Sequence, residues 1–472
     1  MKFSVRVKLL RSEVSPYGEV TFGKEGIAVS KTPICDFVRS YAEKNALRFH
    51  MPGHKGKPFL GFEPLDITEF DGADSLYEAS SIIAESEQIA GTLFGANTFY
   101  STEGSSQCIR AMLHLARLYA GEQQKPLRIA AGRNAHKVFL SAAALLGWDV
   151  SWLVSPKNTS YLSCPIEPEE LDAFLQENPV AAVYVTSPDY LGNLLDIGAL
   201  AEVSHRHGAL LLVDNAHGAY LKFLSKSQHP IDLGADLCCD SAHKTLPALT
   251  GAAYLHISKN APIFLKENAK NALSLFGSTS PSYLILQSLD RVNAYLADGC
   301  RERLQAFSEQ VQALKNTLSH HGYILQGSEP LKITIASKAY GYTGDELADI
   351  LSQKNIFCEF HDPDFLTLML TPQNTVRDLE ILTQVLLSIP RRNAVNAPPP
   401  AFYMQETVLS IREAILSAKE TVPVREALGR VLSDVNVGCP PAVPIAVSGE
   451  RLDNNTLNAF CYYQIRSVSV IK

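Results

Sequence analysis

Five short, almost wholly apolar segments, separated by stretches with helical spacing, constrain the fold of this chain more than any other feature. They are LRIAAG (127–132), VSWLV (150–154), AAVYVTS (181–187), ALLLVD (209–214) and DLCCDS (236–241). Nearly continuous apolar character is typical of strands that are covered on both faces, as in a parallel sheet. The intervening stretches end at residues such as Gly147 and Gly208, and glycine commonly ends a helix. The alternation therefore predicts an α/β domain built on a mainly parallel sheet.

The pattern changes along the 472 residues, which are too many for a single hydrophobic core. Residues 1–30 fit no element and stay unassigned, whereas residues 31–295 hold the strand–helix alternation. Residues 296–390 are predicted to form a small α+β domain. The proline-rich stretch at 391–400 is typical of a stiff linker, and residues 401–472 are predicted to form a separate C-terminal domain.

Individual elements can be predicted beyond residue 295. A long polar helix is expected over about 299–320, followed by the strand LKITIAS and the paired strands NIFCEFHD and FLTLMLTP. A helix should begin at Thr343, with Glu346 three residues later completing a capping box. In the last segment, four apolar residues at helical spacing predict one more helix: Val424, Ala427, Leu428 and Val431.

Composition and charge exclude several classes of function. With 46% hydrophobic and 19% charged residues the chain is an ordinary globular protein, and its net charge of −7 without a basic block argues against nucleic-acid partners. No apolar run is long enough for a signal peptide or a membrane span. The nine scattered cysteines show no metal-ligand spacing. His205 and His207 could form a metal pair, but they fit the end of a helix better, where cationic residues suit the helix dipole. We therefore expect no metal, reduced thiols and a cytoplasmic location.

The segment STEGSSQ at 101–107 comes directly before an amphipathic helix and carries the features of a phosphate site. Gly104 lets the backbone approach a ligand closely, and Ser105 and Ser106 add hydroxyl groups. The start of the helix offers free N–H groups and the positive end of the helix dipole. By itself the segment also fits an ordinary capping serine.

Asp214 and Lys244 each follow a predicted buried strand, where ligands bind in open α/β sheets. A carboxylate at Asp214 would pair with a protonated pyridine nitrogen, although it would equally cap a turn. Lys244 lies in SAHKTLPALTG, and burial there would favour the unprotonated amine that a Schiff base requires. A single lysine is usually a solvated surface group. The order and spacing of the three signals favour a pyridoxal-phosphate site.

These motifs resemble those of the Orn/Lys/Arg decarboxylase family in its short form, without the wing domain. The matching segments are FHMPGHKG (49–56), RNAHK (133–137), TSPDYLG (186–192), VDNAHGAY (213–220), SAHKTLPALTG (241–251), STSPSYLILQSLD (278–290) and, like the family's C-terminal domain, PPAVPIAVSGER (440–451). The resemblance implies an aspartate-aminotransferase-like large domain, which is the pyridoxal-phosphate fold type I.

The resemblance also implies roles for individual residues. Lys244 would bind pyridoxal 5'-phosphate as a Schiff base, Asp214 would pair with the pyridine nitrogen, His136 would stack on the ring and His217 would lie close to it. The phosphate would be held by Gly104, Ser105, Ser106, Ser241 and His243. Thr279 would reach the phosphate of a neighbouring subunit, which implies a homodimer with shared sites.

The implied reaction is decarboxylation of arginine, lysine or ornithine to an amine that feeds polyamine synthesis, with Lys244 or His243 as the proton source. Asp74 and Asp189 are candidates for binding the distal cation of the substrate. Glu103, before the phosphate loop, departs from the family pattern, and so does Asn215, where glutamate is common. The alternatives are another fold-type-I activity, such as transamination or aldol cleavage, and a catalytically silent family member acting as a scaffold.

Overall fold

The five predicted apolar strands lie in one seven-stranded sheet of the computed structural model, which describes residues 31–155, 157, 160–434 and 441–472. The unassigned residues 1–30 lie outside the described part. The first seven strands of the described residues form the seven-stranded sheet, and the later strands form two smaller sheets. In chain order, the strands of the described residues are β1 (Asn97–Ser101), β2 (Arg128–Gly132), β3 (Asp149–Leu153), β4 (Ala182–Thr186), β5 (Leu210–Asp214), β6 (Leu237–Asp240), β7 (Ala253–Ile257), β8 (Leu325–Gln326), β9 (Lys332–Ala336), β10 (Phe360–His361), β11 (Phe365–Met369), β12 (Lys419–Pro423), β13 (Leu432–Asp434) and β14 (Ser467–Ile471).

Helices cover the sheets and connect the strands. They are α1 (Pro33–Glu43), α2 (Ile82–Phe94), α3 (Gly104–Glu122), α4 (Lys137–Leu146), α5 (Pro168–Glu177), α6 (Ile197–Arg206), α7 (Ala242–Thr245), α8 (Ile263–Glu267), α9 (Ala269–Ser274), α10 (Tyr283–Ala297), α11 (Cys300–His321), α12 (Gly344–Ser352), α13 (Val376–Ser388), α14 (Ile411–Leu416) and α15 (Asn454–Tyr462). Short 3₁₀ turns lie at Glu63–Leu65, Ala219–Phe223, Ser337–Tyr340 and Val424–Glu426.

The large sheet has the order β1-β7-β6-β5-β4-β2-β3, and only β7 runs antiparallel to its neighbours. The prediction of a mainly parallel sheet is therefore confirmed. The sequence reading missed β1 and β7 because polar residues interrupt their apolar pattern. Two of these residues, Thr98 and His256, are buried and contact each other through Oγ1 and Nδ1 at 2.9 Å.

Both faces of the large sheet are buried, as the continuous apolar strands require. Along β4 and β5 the side chains alternate between two cores. Val183 and Val213 pack into one core, whereas Tyr184 and Leu212 pack into the other, and all four are fully buried. This burial fixes the strand ends, from which the loops of the candidate site emerge.

A second sheet has the order β10-β11-β9-β8 and is antiparallel throughout. The predicted pairing of the two strands after residue 355 is confirmed, although β10 has only two residues. The predicted capping box is also present, since Thr343 accepts a hydrogen bond from Glu346 N at 3.1 Å and Glu346 accepts one from Thr343 N at 2.8 Å.

The third sheet, with the order β12-β14-β13, contains the one predicted element that is wrong. Instead of a helix over 424–431, only one 3₁₀ turn forms, at Val424–Glu426. Gly429 then adopts a left-handed φ of +74°, and Val431 forms a bridge with Arg451. The left-handed residue ends the helical path, and the chain continues as a strand instead.

None of the described helices combines the length and the apolar character needed to cross a bilayer. The eight cysteines in the described part of the chain form no disulfide with one another, and all except Cys358 and Cys461 are buried.

Candidate active site

Lys244 and His217 meet at the edge of the large sheet where the parallel strands β5 and β6 end. His217 lies in the turn after β5, and Lys244 lies in the short helix α7 directly after β6. The Lys244 Nζ lies 3.0 Å from the His217 Nε2. Together with Asp214 and His136 the two side chains line one cavity, as expected for a ligand crevice at the carboxyl ends of parallel strands.

The Asp214 carboxylate is buried and surrounded by donors. Tyr184 donates a hydrogen bond to Oδ2 at 3.1 Å, and Ala216 N donates one to Oδ1 at 3.2 Å. Burial, followed by the charge of Asp214, raises the pKa of Tyr184 well above its usual range, so this tyrosine stays a donor. The arrangement places a buried carboxylate in the wall of the cavity, where it would attract a protonated ring nitrogen.

His136 forms the N-cap of α4, and its Nδ1 accepts a hydrogen bond from Val138 N at 3.2 Å. Burial lowers the pKa of His136 to about 4, so the ring is neutral near pH 7. A neutral, flat imidazole on the wall of the cavity suits stacking on an aromatic cofactor ring.

The predicted phosphate residues come together at the start of α3. Gly104 has a φ of +71°, and a Cβ built there would lie 3.9 Å from His243 Cε1. Ser241 Oγ donates a hydrogen bond to Ser105 Oγ at 2.9 Å, which joins this helix start to the segment that carries Lys244. Ser106 follows in the first turn of the helix. Hydroxyl groups and free backbone N–H groups form a donor set that fits a phosphate.

The two departures from the family pattern both have a structural partner. Glu103 is exposed, and its carboxylate accepts a hydrogen bond from Ser278 N. Asn215 points to the other side of the sheet edge, where its Nδ2 donates to Asp240 Oδ1 at 2.6 Å. A glutamate at that position would place a second carboxylate beside Asp240.

The two carboxylates that were candidates for binding the distal cation of the substrate accept hydrogen bonds from nearby residues of the chain instead. Asp74 accepts hydrogen bonds from Ser80 N, Ser81 N and Ile83 N at 2.8–3.0 Å, and such backbone bonds lower its pKa although burial raises it. Asp189 accepts hydrogen bonds from the backbone and side chain of Asn193 at 2.9 and 2.8 Å. Neither residue lines the cavity that contains Lys244, so the geometry does not support these two candidates.

Thr279 lies apart from the other residues that were predicted to bind the cofactor. It is exposed, in the loop before α10, and does not line the cavity. Its predicted role requires a second subunit and stays a prediction.

Several residues around the cavity were not predicted from the sequence. Tyr190 lines it and packs edge-on against His217 with ring centroids 4.9 Å apart. The Tyr190 hydroxyl donates to Glu359 Oε1 at 2.9 Å, so a carboxylate from the segment before β10 lies beside the cavity. Lys332, from β9, reaches the Nδ1 of His217 at 2.9 Å.

The segment 441–447 closes the cavity from the far end of the chain, with Pro441 and Val443 in its wall. Arg133 is buried and holds this segment, since its Nη1 and Nη2 donate to Pro444 O and Ile445 O, each at 2.9 Å. Arg133 belongs to the RNAHK motif, so the motif connects the cavity to its wall.

A second buried cluster, also missed, lies behind Lys244. The Asp240 Oδ2 lies 3.0 Å from His229 Nε2 and 3.2 Å from His256 Nε2, and Cys238 Sγ is 4.0 Å from His229 Nε2. His229, Cys238 and Asp240 are close enough to hold a metal ion. However, His229 Nδ1 faces the Ile231 N–H at 3.4 Å, so Nε2 carries the proton. A donor at Nε2 favours a hydrogen-bonded network around Asp240 over metal ligation.

Comparisons with known proteins identify the family of this chain. Residues 32–334 match the model of the family described as Orn/Lys/Arg decarboxylase, major domain. The chain is 30% identical to the uncharacterized protein YaaO of Bacillus subtilis in an alignment of 462 positions, which covers 90% of this chain and 93% of YaaO. It is 27% identical to the arginine decarboxylase of the same organism, with 91% of this chain and 92% of that protein covered.

Solved structures show the same fold. Lysine decarboxylase A from Pseudomonas aeruginosa is 18% identical, with a TM-score of 0.77 over 93% of this chain and 80% of that one. The fold is that of the aspartate-aminotransferase-like enzymes, pyridoxal-phosphate fold type I. Because the family match covers more than half of its length and the fold agrees, this chain belongs to the Orn/Lys/Arg decarboxylase family.

Proposed function

We propose that this protein is a pyridoxal-phosphate-dependent decarboxylase of a basic amino acid, arginine, lysine or ornithine, and that it releases the corresponding amine. The observation that supports this most is the convergence of Lys244, His217, Asp214 and His136 on one cavity. When bound there, pyridoxal phosphate supplies an electron sink for the pair that the departing CO₂ leaves at Cα. The remaining steps depend on the residues of this chain.

Lys244 would hold the cofactor through its Nζ, and Asp214 would keep the ring nitrogen protonated. The Lys244 Nζ would take up the proton that the α-ammonium of the substrate gives up on binding, and it would then be the better proton source for Cα. His243 is less suitable, because its Nδ1–H donates to Ala252 O at 2.8 Å and its Nε2 therefore carries no proton. Burial also lowers the pKa of His243, which keeps the ring neutral.

Glu359 would bind the distal cation of the substrate in place of Asp74 and Asp189. Tyr190 connects it to the cavity through the 2.9 Å hydrogen bond. The charge of Glu359 also raises the pKa of His243, which is a minor effect beside burial but indicates that the carboxylate lies close to the site. A carboxylate at this edge would favour side chains that end in an ammonium or guanidinium group.

The Bacillus subtilis arginine decarboxylase makes arginine the first substrate to test. Like lysine and ornithine, arginine would yield an amine usable for polyamine synthesis. A cytoplasmic homodimer with shared sites, in which Thr279 reaches the neighbouring phosphate, completes the proposal.

The proposal is tested by identifying both the cofactor lysine and the product. Purified protein is reduced with borohydride and digested, and mass spectrometry should find the pyridoxyl group on Lys244. Separate incubations with arginine, lysine and ornithine should release CO₂ and one amine. Lys244→Ala should lose this activity by several orders of magnitude, whereas Lys266→Ala, at an exposed lysine of α8, should keep it.

Other results would point to the alternatives. A keto acid in place of the amine would indicate an aminotransferase. A pyridoxyl group on Lys244 without any product from the three amino acids would indicate a silent member of the family. Labelling of a different lysine would overturn the cofactor assignment itself.

A further inference from the structure

Lys332 is a buried lysine at the start of β9, and its ammonium group contacts three partners. Only 2% of the residue is exposed. The Nζ donates to Asp189 O at 3.1 Å, pairs with Glu329 Oε2 at 3.0 Å and lies 2.9 Å from His217 Nδ1. A lysine with so little solvent needs a counterion, and Glu329 supplies it. Lys332 and Glu329 therefore form a buried ion pair in which Lys332 is the cation.

The Glu329 carboxylate is itself held in place. Only 2% of Glu329 is exposed, and its Oε1 accepts a hydrogen bond from the Tyr220 hydroxyl at 3.1 Å. Burial and then the charge of Glu329 raise the pKa of Tyr220 well above its usual range, so the tyrosine remains a donor. The Glu329–Lys332 pair is thus a fixed structure at the back of His217.

His217 lies between Lys244 and Lys332, and its contact with Lys332 determines which of its ring nitrogens donates and which accepts. Burial, with a smaller contribution from the charge of Lys332, lowers the pKa of His217 well below its usual range, so the ring is neutral and carries one N–H. A charged Lys332 can only donate, so Nδ1 accepts and the proton is on Nε2. The Nε2–H then faces the Lys244 Nζ at 3.0 Å. This contact is a hydrogen bond only if Lys244 presents a lone pair.

We propose that Lys332 and Glu329 are positioning residues that fix the Nε2–H form of His217 and so hold the Lys244 amine unprotonated. The inference rests on the proposed function, in which that amine binds the cofactor. Two effects act together, and both oppose the charge of Asp214, whose carboxylate lines the same cavity. The N–H of His217 occupies the lone-pair side of Lys244, and the buried positive charge of Lys332 opposes a second positive charge nearby. Neither residue touches the cofactor or the substrate in this scheme.

The first test measures the reactivity of Lys244 in the cofactor-free protein. Trace labelling with acetic anhydride between pH 6 and 10, read by mass spectrometry, gives the rate for each lysine. Lys332→Met should slow the labelling of Lys244 at pH 7 about tenfold or more, because the amine gains a proton when the histidine can reverse its tautomer. An unchanged pH profile for Lys244 in a folded Lys332→Met protein would overturn the proposal.

The control is Lys338→Met. Lys338 is also a poorly exposed lysine near the second sheet, and its Nζ pairs with Asp364 Oδ1 at 2.6 Å. It has no contact with His217, so its removal should leave the Lys244 profile as in the wild type. An equal slowing in both variants would mean that general loosening of the fold, and not the His217 contact, controls Lys244.

The second test needs no change at Lys332. Nitrogen NMR of histidine-labelled protein, assigned by comparison with His217→Asn, shows which ring nitrogen carries the proton. The proposal requires a protonated Nε2 and a bare Nδ1 in the unmodified residue. A protonated Nδ1 would overturn it. If Lys332→Met does not fold, the double variant Glu329→Gln/Lys332→Met removes both charges, and the same slowing of Lys244 labelling is expected.

These results separate the inference from the proposed function. Both tests use cofactor-free protein, so they read the state of Lys244 without any assumption about the reaction. Cofactor on Lys244 together with a protonated Nδ1 would remove the inference and leave the function. The expected tautomer together with borohydride labelling at another lysine would do the reverse.

Discussion

The hydroxyl of Tyr184 donates a hydrogen bond to Asp214 Oδ2 across the neighbouring strands β4 and β5, at 3.1 Å. Both residues are buried, and Cys239 Sγ lies 3.7 Å from the other carboxylate oxygen. The carboxylate is therefore stabilised as an acceptor by groups that do not neutralise its charge. That charge is available to the cofactor ring.

Asp214→Asn should lower kcat by tens to hundreds-fold with little change in KM. A buried carboxylate shifts the pKa of a partner by roughly 1–3 units, and each unit is worth about 1.4 kcal/mol. Loss of the charge weakens the electron sink, so steady-state kinetics should show the effect in the chemical step. Wild-type kcat in a folded, cofactor-loaded variant would show that Asp214 is only a turn cap.

Glu359→Gln should raise KM for the preferred basic amino acid about tenfold or more, because a charge-assisted contact to the distal cation is replaced by a neutral one. The cofactor spectrum should stay as in the wild type. Asp74→Asn is the comparison, since Asp74 serves the start of α2 and should affect stability more than KM. If Asp74→Asn alone raised KM, Asp74 would be the better candidate.

Mixing two inactive variants tests the shared site. Light scattering should show at least a dimer, and Thr279→Asp should prevent cofactor binding by placing a carboxylate at the phosphate of the neighbouring subunit. Mixed with Lys244→Ala, it should recover about a quarter of the wild-type activity, because half of the dimers are mixed and each has one intact site. Full activity of the Thr279→Asp protein alone, or of a monomeric protein, would contradict an active site that is shared between two subunits.

Asp240→Asn should lower the free energy of unfolding by about 3 kcal/mol, because two buried histidines lose their common carboxylate. Asp172 provides a matched control, since it also accepts from a histidine, His207, at 2.8 Å, but its side chain is 26% exposed. Asp172→Asn should cost much less stability, because solvent screens an exposed pair. Urea unfolding of both variants measures the difference. Equal losses in the free energy of unfolding would show that burial of Asp240 does not increase its contribution to stability.

Asp362 should make the protein less stable as the pH rises. Burial raises its pKa to about 7, from 3.8 in an unfolded chain, so the folded state binds the proton more tightly. Its contribution is fully present below about pH 4 and is lost as the pH rises through about 7, at about 1.4 kcal/mol per unit. Relative to Asp362→Asn, the wild type should therefore lose up to about 4 kcal/mol between pH 4 and 7. A constant difference would contradict the shift.

The sequence allowed Asp214, His217 and Lys244 to be predicted together because parallel strands end at the same edge of a sheet. It did not reveal Lys332, which lies 115 residues from its partner His217 and in another sheet. The available signal was a lysine inside the apolar strand LKITIAS, since a buried charge requires a partner. The strand pattern does not show which partner it finds.

The helix that does not form and the two carboxylates that do not line the cavity have a common physical cause. Asp74 and Asp189 are engaged by backbone N–H groups within about ten residues, and such local bonds are invisible to a search for distant charges. The helix expected at 424–431 has the correct spacing of apolar residues, but Gly429 takes a left-handed conformation and ends it. Local backbone geometry decided both cases.

The wall formed by Pro441 and Val443 sets an order of events during synthesis of the protein. Residues 441–447, which Arg133 holds against the cavity, leave the ribosome long after Lys244, Asp214 and the start of α3. A chain that stops short of this segment would keep its cofactor lysine in a cavity open to water. The proposed active site is therefore complete only after residues 441–447 have been synthesised.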